Sequence, residues 1–209
     1  MDLRELPLRE RKKARTRQAL TEAALRLFTE KGFDHTTLDE LVDAVEVSKR
    51  TFFRNFPSKE DVALAADTEL WSTFLDEVDA MEVAGLVLDA FRTALRVSLE
   101  RMDEGWGARF LATRALCAVT PAVQAHSLRY CDQTTQAAFA RMGARAGFDA
   151  EDVRLKLVIE VAIAAWRHAA LSWTGDGGPG GLAGLQERLD TAFAAIPDSV
   201  ALTGANADR

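Results

Sequence analysis

The stretch TTLDELVDAVEVSKRTFFRNFPSK, residues 36 to 59, constrains this chain more than any other. Leu38, Leu41, Val42 and Val45 recur at i, i+3, i+4 and i+7, one apolar face of a short helix, and Thr37 with Glu40 three residues later makes a capping-box start. Glu46-Val47 leaves no room for a further element, and Ser48 is a good N-cap for a second helix running through Arg54. Helices joined by so tight a turn cross steeply, as in a helix-turn-helix. Val47, Phe52 and Phe56 are expected to turn inward. Lys49, Arg50, Thr51, Phe53, Arg54 and Asn55 are then left facing outward, a set of cations, hydroxyl, amide and one ring that suits the major groove of double-stranded DNA. Pro57 ends the second helix, and Ser58 with Asp61 caps the next. Lys59 therefore sits at a helix N-terminus, where its ammonium and free backbone N–H groups can hold a phosphate. The expected DNA contacts are Thr37, Ser48, Lys49, Arg50, Thr51, Phe53, Arg54, Asn55 and Lys59. Lys49, Arg50, Thr51 and Asn55 are the expected base readers; Thr37, Arg54 and Lys59 are the expected phosphate contacts.

Charge is divided unevenly along the chain. The net charge is −6, yet residues 1 to 60 hold 13 Lys and Arg against 11 Asp and Glu, while the remainder holds 13 against 21. A mildly basic head on an acidic body orients the head toward phosphate. Ala, Leu, Arg and Glu dominate and strand-type alternation is absent, which predicts an all-α fold. The reading divides the chain into a three-helix head over residues 1 to 57 and a larger helical ligand-binding and dimerisation domain over 58 to 209. About nine helices are expected in all. Leu20, Ala23, Ala24, Leu27 and Phe28 stripe the first helix, and Gly32-Phe33 reads as its Schellman-type ending. One long connecting helix is expected from Ser58. Further helices are expected at about 85–103, 106–118, 121–146, 150–174 and 181–196. The leading cations Arg11, Lys12, Lys13, Arg15 and Arg17 read either as a phosphate-touching arm or as a solvated helix face. No signal-peptide core follows the basic N-terminus, so a cytoplasmic protein is expected.

The motif T-T-L-x-E-L … V-S-K-R-T-F-F-R-N-F-P-S-K-E-D resembles the N-terminal signature of the tetracycline-repressor (TetR) family. The match covers roughly residues 9 to 66. Two positions depart from it: Glu46 stands where the family usually has glycine in the turn, and Phe53 stands where a tyrosine hydroxyl commonly meets a phosphate. Glu46 then has to accept a left-handed conformation or alter the turn. The resemblance implies a transcriptional regulator, expected to be a repressor that binds a pseudo-palindromic operator as a dimer and is released by a small organic effector. Branches with a similar T-F-F-R-x-F-P-S-K-E-D run sometimes take acyl-type ligands.

The body supplies candidates for both remaining tasks. Aromatics Trp71, Phe74, Trp106, Phe110, Tyr130 and Trp166, with Arg114 as a polar contact, are the expected effector-pocket set, although for each of them singly packing in the core is the commoner role. Residues 157 to 171 are apolar almost all round, which implies burial on two sides. The stripe Leu182, Leu185, Leu189, Phe193 and Ile196 suits a helix lying beside it. Pairing both with their two-fold mates predicts a homodimer through Ala162, Ala165, Trp166, Ala169, Leu185, Leu189 and Phe193. No metal spacing, no catalytic cluster and no phosphate-cradling loop stands out. No cofactor, no membrane span and no enzymatic activity is expected. Two rivals remain: a DNA-binding dimer without small-molecule control, and an all-helical enzyme carrying a fused DNA-binding head.

Overall fold

The computed structural model describes residues 7 to 149 and 151 to 203. Eleven helices and no strand occur among them: α1 (Leu8–Lys31), α2 (Leu38–Asp43), α3 (Lys49–Asn55), α4 (Lys59–Ala63), α5 (Ala65–Ala80), α6 (Val87–Glu100), α7 (Trp106–Val119), α8 (Pro121–Ala146), α9 (Val153–Gly175), α10 (Gly181–Ala194) and α11 (Ile196–Val200). The fold is all-α, as the composition implies. Two helices beyond the expected nine arise because the connecting helix is interrupted at Leu64 and because a short turn, α11, follows α10.

Contacts divide the chain into two compact units. One holds residues 1–72 and 101–133, the other 73–100 and 134–209. The first unit reaches well past residue 57, because α7 and the first half of α8 pack with the head. Its core joins Leu20, Ala24 and Phe28 of α1 to Leu41 and Val42 of α2, Phe52 of α3, Val62 and Ala63 of α4, Leu116 of α7 and Val123 of α8. Burial of this continuous apolar set is the main force holding the short helices α2 to α4, which are too short to persist alone.

At the end of α1, Phe33 does cover Phe28, with ring centroids 4.9 Å apart. The ending is not a Schellman loop. Gly32 has φ 88° and ψ 150°, a conformation open to glycine that sends the chain out extended, and its N–H donates to Phe28 O at 3.0 Å.

The interruption between α4 and α5 is held from α7. Leu64 has φ −97° and ψ 16° and leaves the helical path. The Thr113 hydroxyl donates to Ala63 O at 2.9 Å, and the Trp106 indole N–H donates to Ala66 O at 3.0 Å; both side chains are fully buried. Arg114 reaches Asp67 at 3.1 Å and Arg109 reaches Glu69 at 3.2 Å. One face of α7 thus meets four successive groups around the bend. Burial pushes the Asp67 carboxyl up, and Arg114 opposes that shift.

In the second unit, α9 packs on α6 and α10. Ala162, Ala165, Trp166 and Ala169 of α9 and Leu185, Leu189 and Phe193 of α10 are all buried inside the single chain, with Phe193 stacked near Phe91 of α6 at 6.4 Å. These are the residues expected at a dimer interface. Here they form the chain's own core. The opposite flank, with Leu157, Ala164, His168 and Leu171, is the exposed one.

Candidate nucleic-acid interface

Local chemistry builds the α2–turn–α3 segment as the sequence implies. Thr37 accepts from Glu40 N–H, and the Glu40 carboxylate accepts from Thr37 N–H at 2.8 Å, closing the capping box. Lys31 adds a 2.6 Å contact to Glu40. These bonds, that of Lys31 foremost, hold the Glu40 carboxyl down at about 2. α2 ends in a Schellman motif: Val47 N–H donates to Val42 O at 3.0 Å and Glu46 N–H donates to Asp43 O at 3.1 Å. The left-handed residue that this motif needs is Glu46, at φ 54°, the one non-glycine of positive φ among the described residues. Ser48 then caps α3, accepting from Thr51 N–H at 3.1 Å, with the Ser48 and Thr51 hydroxyls 3.0 Å apart.

α3 shows two faces. Phe52 is completely buried, and its ring meets Phe56 at 6.0 Å. Lys49, Arg50, Phe53 and Arg54 are exposed and Thr51 is half-buried. Phe53 is 53% exposed and leaves an apolar surface on the outer face of α3. Lys49 is tied to Asp39 of α2 at 2.6 Å, a pair exposed on both sides and so of little cost to give up to a phosphate or base.

Two expected contacts are not available on this surface. Asn55 is 7% exposed and turns into the unit, where its amide donates to Thr51 O at 2.7 Å. It belongs to the inner face of α3, one turn after Phe52, and not to the outward face on which the sequence placed it. Lys59 is drawn back along the protein: its ammonium donates to Phe33 O at 2.7 Å and Thr36 O at 3.0 Å and lies 4.2 Å from the Phe33 ring centroid. That ammonium pins the loop between α1 and α2, where it satisfies carbonyls, and is not poised for a phosphate. Nothing in the spacing of the sequence distinguishes a lysine that staples a loop from one that faces solvent.

The basic leading turns of α1 also sort themselves. Arg17 folds inward, donating to Asn55 O at 2.6 Å with its guanidinium 4.2 Å from the Phe56 ring centroid, and burial lowers its pKa. Arg9, Lys12 and Lys13 instead line a cleft of about 610 Å³ with Thr16 and with Arg54 of α3. This cleft extends the basic surface of α3 onto α1. Thr37 remains exposed at the N-terminus of α2, beside this surface in sequence but engaged with Glu40.

The residues expected to line an effector pocket do not share one unit. Trp71, Trp106, Phe110, Arg114 and Tyr130 lie in the first unit, Phe74 and Trp166 in the second. Trp106 stacks on Phe110 at 4.8 Å and both are buried, so this pair packs as core. Arg114 contacts Asp67, Ser127 at 3.3 Å and the Cys117 sulfur at 3.4 Å. Phe74 packs against Phe91 at 4.6 Å. Among the described residues no group of His, Cys, Asp or Glu is arranged to hold a metal ion, and no helix is long and apolar enough to cross a membrane.

Comparison with known proteins identifies the family. Residues 20–66 match the model described as bacterial regulatory proteins of the tetR family, and residues 86–201 match the MftR C-terminal domain. The HTH-type transcriptional regulator TcmR of Streptomyces glaucescens is 35% identical over 172 residues, covering 79% of this chain and 76% of that protein. Among solved structures, a TetR-family regulator from Syntrophomonas wolfei covers 92% of this chain and 99% of its own, with TM-score 0.60 and 18% identity. SmeT in complex with triclosan covers 86% and 90%, with TM-score 0.56 and 18% identity. At such identities the two structures speak for the fold alone. The matched head, the matched C-terminal domain and the relative that spans most of both chains together place this protein in the TetR family of DNA-binding transcriptional regulators.

Proposed function

We propose that the protein is a repressor that occupies a pseudo-palindromic operator as a homodimer and leaves it when a small organic effector binds. The observation that carries this reading is the exposed face of α3, where Lys49, Arg50, Thr51 and Arg54 stand together and continue into the cleft lined by Arg9, Lys12 and Lys13. Arg50 and Thr51 are the base readers; Arg54 with the α1 cations takes phosphates.

The second copy pairs along the open flank of α9, α10 and α11. A groove of about 560 Å³ lies there, walled by Val161, Ala164, His168, Ala192, Ile196 and Val200 among others. Its apolar lining and its position on the outer side of the α9–α10 pair support a helical bundle formed by two copies. The effector acts by favouring a state of lower DNA affinity, and reciprocity then requires DNA to weaken the effector by the same factor. A cytoplasmic location goes with this role.

The test is protection of DNA next to the protein's own gene. A dimer of this kind protects two inverted half-sites centred roughly 34–36 Å apart on one face of the duplex. Protection of a single half-site, or of none, contradicts the proposal.

A further inference from the structure

The outer face of α3 is not uniformly polar. Of its exposed residues Lys49, Arg50, Phe53 and Arg54, three are cations and Phe53 is a bare ring. The other described phenylalanines are buried, except Phe148 at 39%, whose ring lies 5.7 Å from the Arg154 guanidinium. Phe53 is the more open of the two and meets the fully buried Phe52 edge-on, with ring centroids 5.5 Å apart and planes at 89°. The ring is thus braced from beneath, turned outward and set among cations.

A DNA duplex offers such a ring few partners. Phosphates call for N–H and O–H donors, and a phenyl ring has neither. The faces of the bases are stacked on one another, and exposing them takes unstacking or flipping. In the major groove the base edges present hydrogen-bonding groups, and thymine adds an apolar one, its C5-methyl. A ring laid against that methyl removes apolar surface from water on both sides, and no hydrogen bond is given up.

Phe53 lies three residues beyond Arg50, on the same side of the helix. Three residues advance about 4.5 Å along a helix axis. Base pairs are spaced by about 3.4 Å. The methyl within reach of Phe53 therefore belongs to a base about one or two pairs from the one that Arg50 reads.

We propose that Phe53 is a specificity-determining residue that reads the C5-methyl of a thymine in each operator half-site, next to the Arg50 contact. The proposal rests on α3 entering the major groove, as in the function proposed above. It divides the face by chemistry: Arg50 and Thr51 read hydrogen-bonding edges, and Phe53 reads a methyl.

The test replaces single thymidines of the protected operator by deoxyuridine, which keeps every hydrogen-bonding group of the pair and lacks only the methyl. Affinities are measured for wild type, Arg50→Ala, Phe53→Ala and Phe53→Gln. Alanine and glutamine are good helix formers, so either variant at this exposed position keeps α3. Wild type should lose about fourfold at one thymine of a half-site, the equivalent of one buried methyl, and about fifteenfold when both half-sites are altered. Phe53→Ala and Phe53→Gln should bind the operator more weakly and no longer distinguish thymine from uracil at that position. Wild type that is indifferent to uracil throughout both half-sites overturns the assignment. So does a methyl preference that persists in both Phe53 variants, which would belong to another residue such as Thr51. Failure of the underlying reading looks different: Arg50→Ala and both Phe53 variants would then bind the operator as wild type does.

Discussion

Glu46 shows how a single residue can follow a motif in spite of its side chain. The Schellman ending of α2 requires a left-handed residue, and an L-residue with a Cβ pays roughly 1–2 kcal/mol for it where glycine pays nothing sterically. Glu46→Gly is accordingly expected to raise stability by about 1 kcal/mol, less a part lost to the freer unfolded chain, with operator binding retained. Chemical denaturation measures it; destabilisation would show that the Glu46 side chain contributes something the backbone conformation conceals. Glu40 carries a second prediction at this scale. Its carboxyl lies at about 2 in the folded protein, below the usual glutamate value. A depressed carboxyl contributes stability at pH values above its unfolded pKa of about 4.3. That contribution should be lost as pH falls from there toward 2. Glu40→Gln should flatten the acid limb of the stability profile, and an unchanged limb would dismiss the capping box as its source. The capping pairs Thr37–Glu40, Ser48–Thr51 and Ser58–Asp61 were legible in the sequence because each depends on residues three apart. The inward turn of Asn55, Lys59 and Arg17 was not, since each is set by a carbonyl or ring that lies far along the chain or on the hidden face of its own helix.

Among elements, α7 is the one whose role periodicity could not reveal. The sequence reads as one helix from Ser58 onward, because neither glycine nor proline marks Leu64. What keeps the bend is a set of partners some forty to fifty residues away: Thr113 on Ala63, Trp106 on Ala66 and Arg114 on Asp67. Buried carbonyls that lose helical partners must find others, and α7 supplies them. Thr113→Val keeps the volume but removes the donor. It should cost about 1–3 kcal/mol in stability, the penalty of one buried carbonyl left without a partner. A neutral result would mean that the α4–α5 interruption closes into continuous helix once Thr113 releases it. In α9 the pattern revealed the amount of apolar surface but not its allocation. The chain was expected to bury Ala162, Ala165 and Ala169 against a mate, whereas α6 and α10 cover them.

For the molecule as a whole, that allocation moves the proposed dimer surface by about half a turn of α9. Ala164→Glu places a carboxylate on the exposed flank and should convert dimer to monomer with the fold intact. Leu189→Glu buries the same charge in the chain's own core and should unfold it, at a cost of several kcal/mol. Sedimentation with circular dichroism separates the two, and a folded Ala164→Glu dimer would move the interface elsewhere. The all-α class, the helix-turn-helix and its cationic face were legible because they rest on local spacing and capping. The pocket residues were not, because aromatics that fill a core and aromatics that line a cavity have the same sequence signature. The central claim is that α3 reads DNA through its exposed cations. It is tested most directly by the affinity of wild type and Arg50→Ala for the protected operator and for random duplex of equal length at one salt concentration. The account predicts a loss of about 1–3 kcal/mol on the operator alone; an equal loss on both duplexes would show that Arg50 binds backbone charge and contradict it.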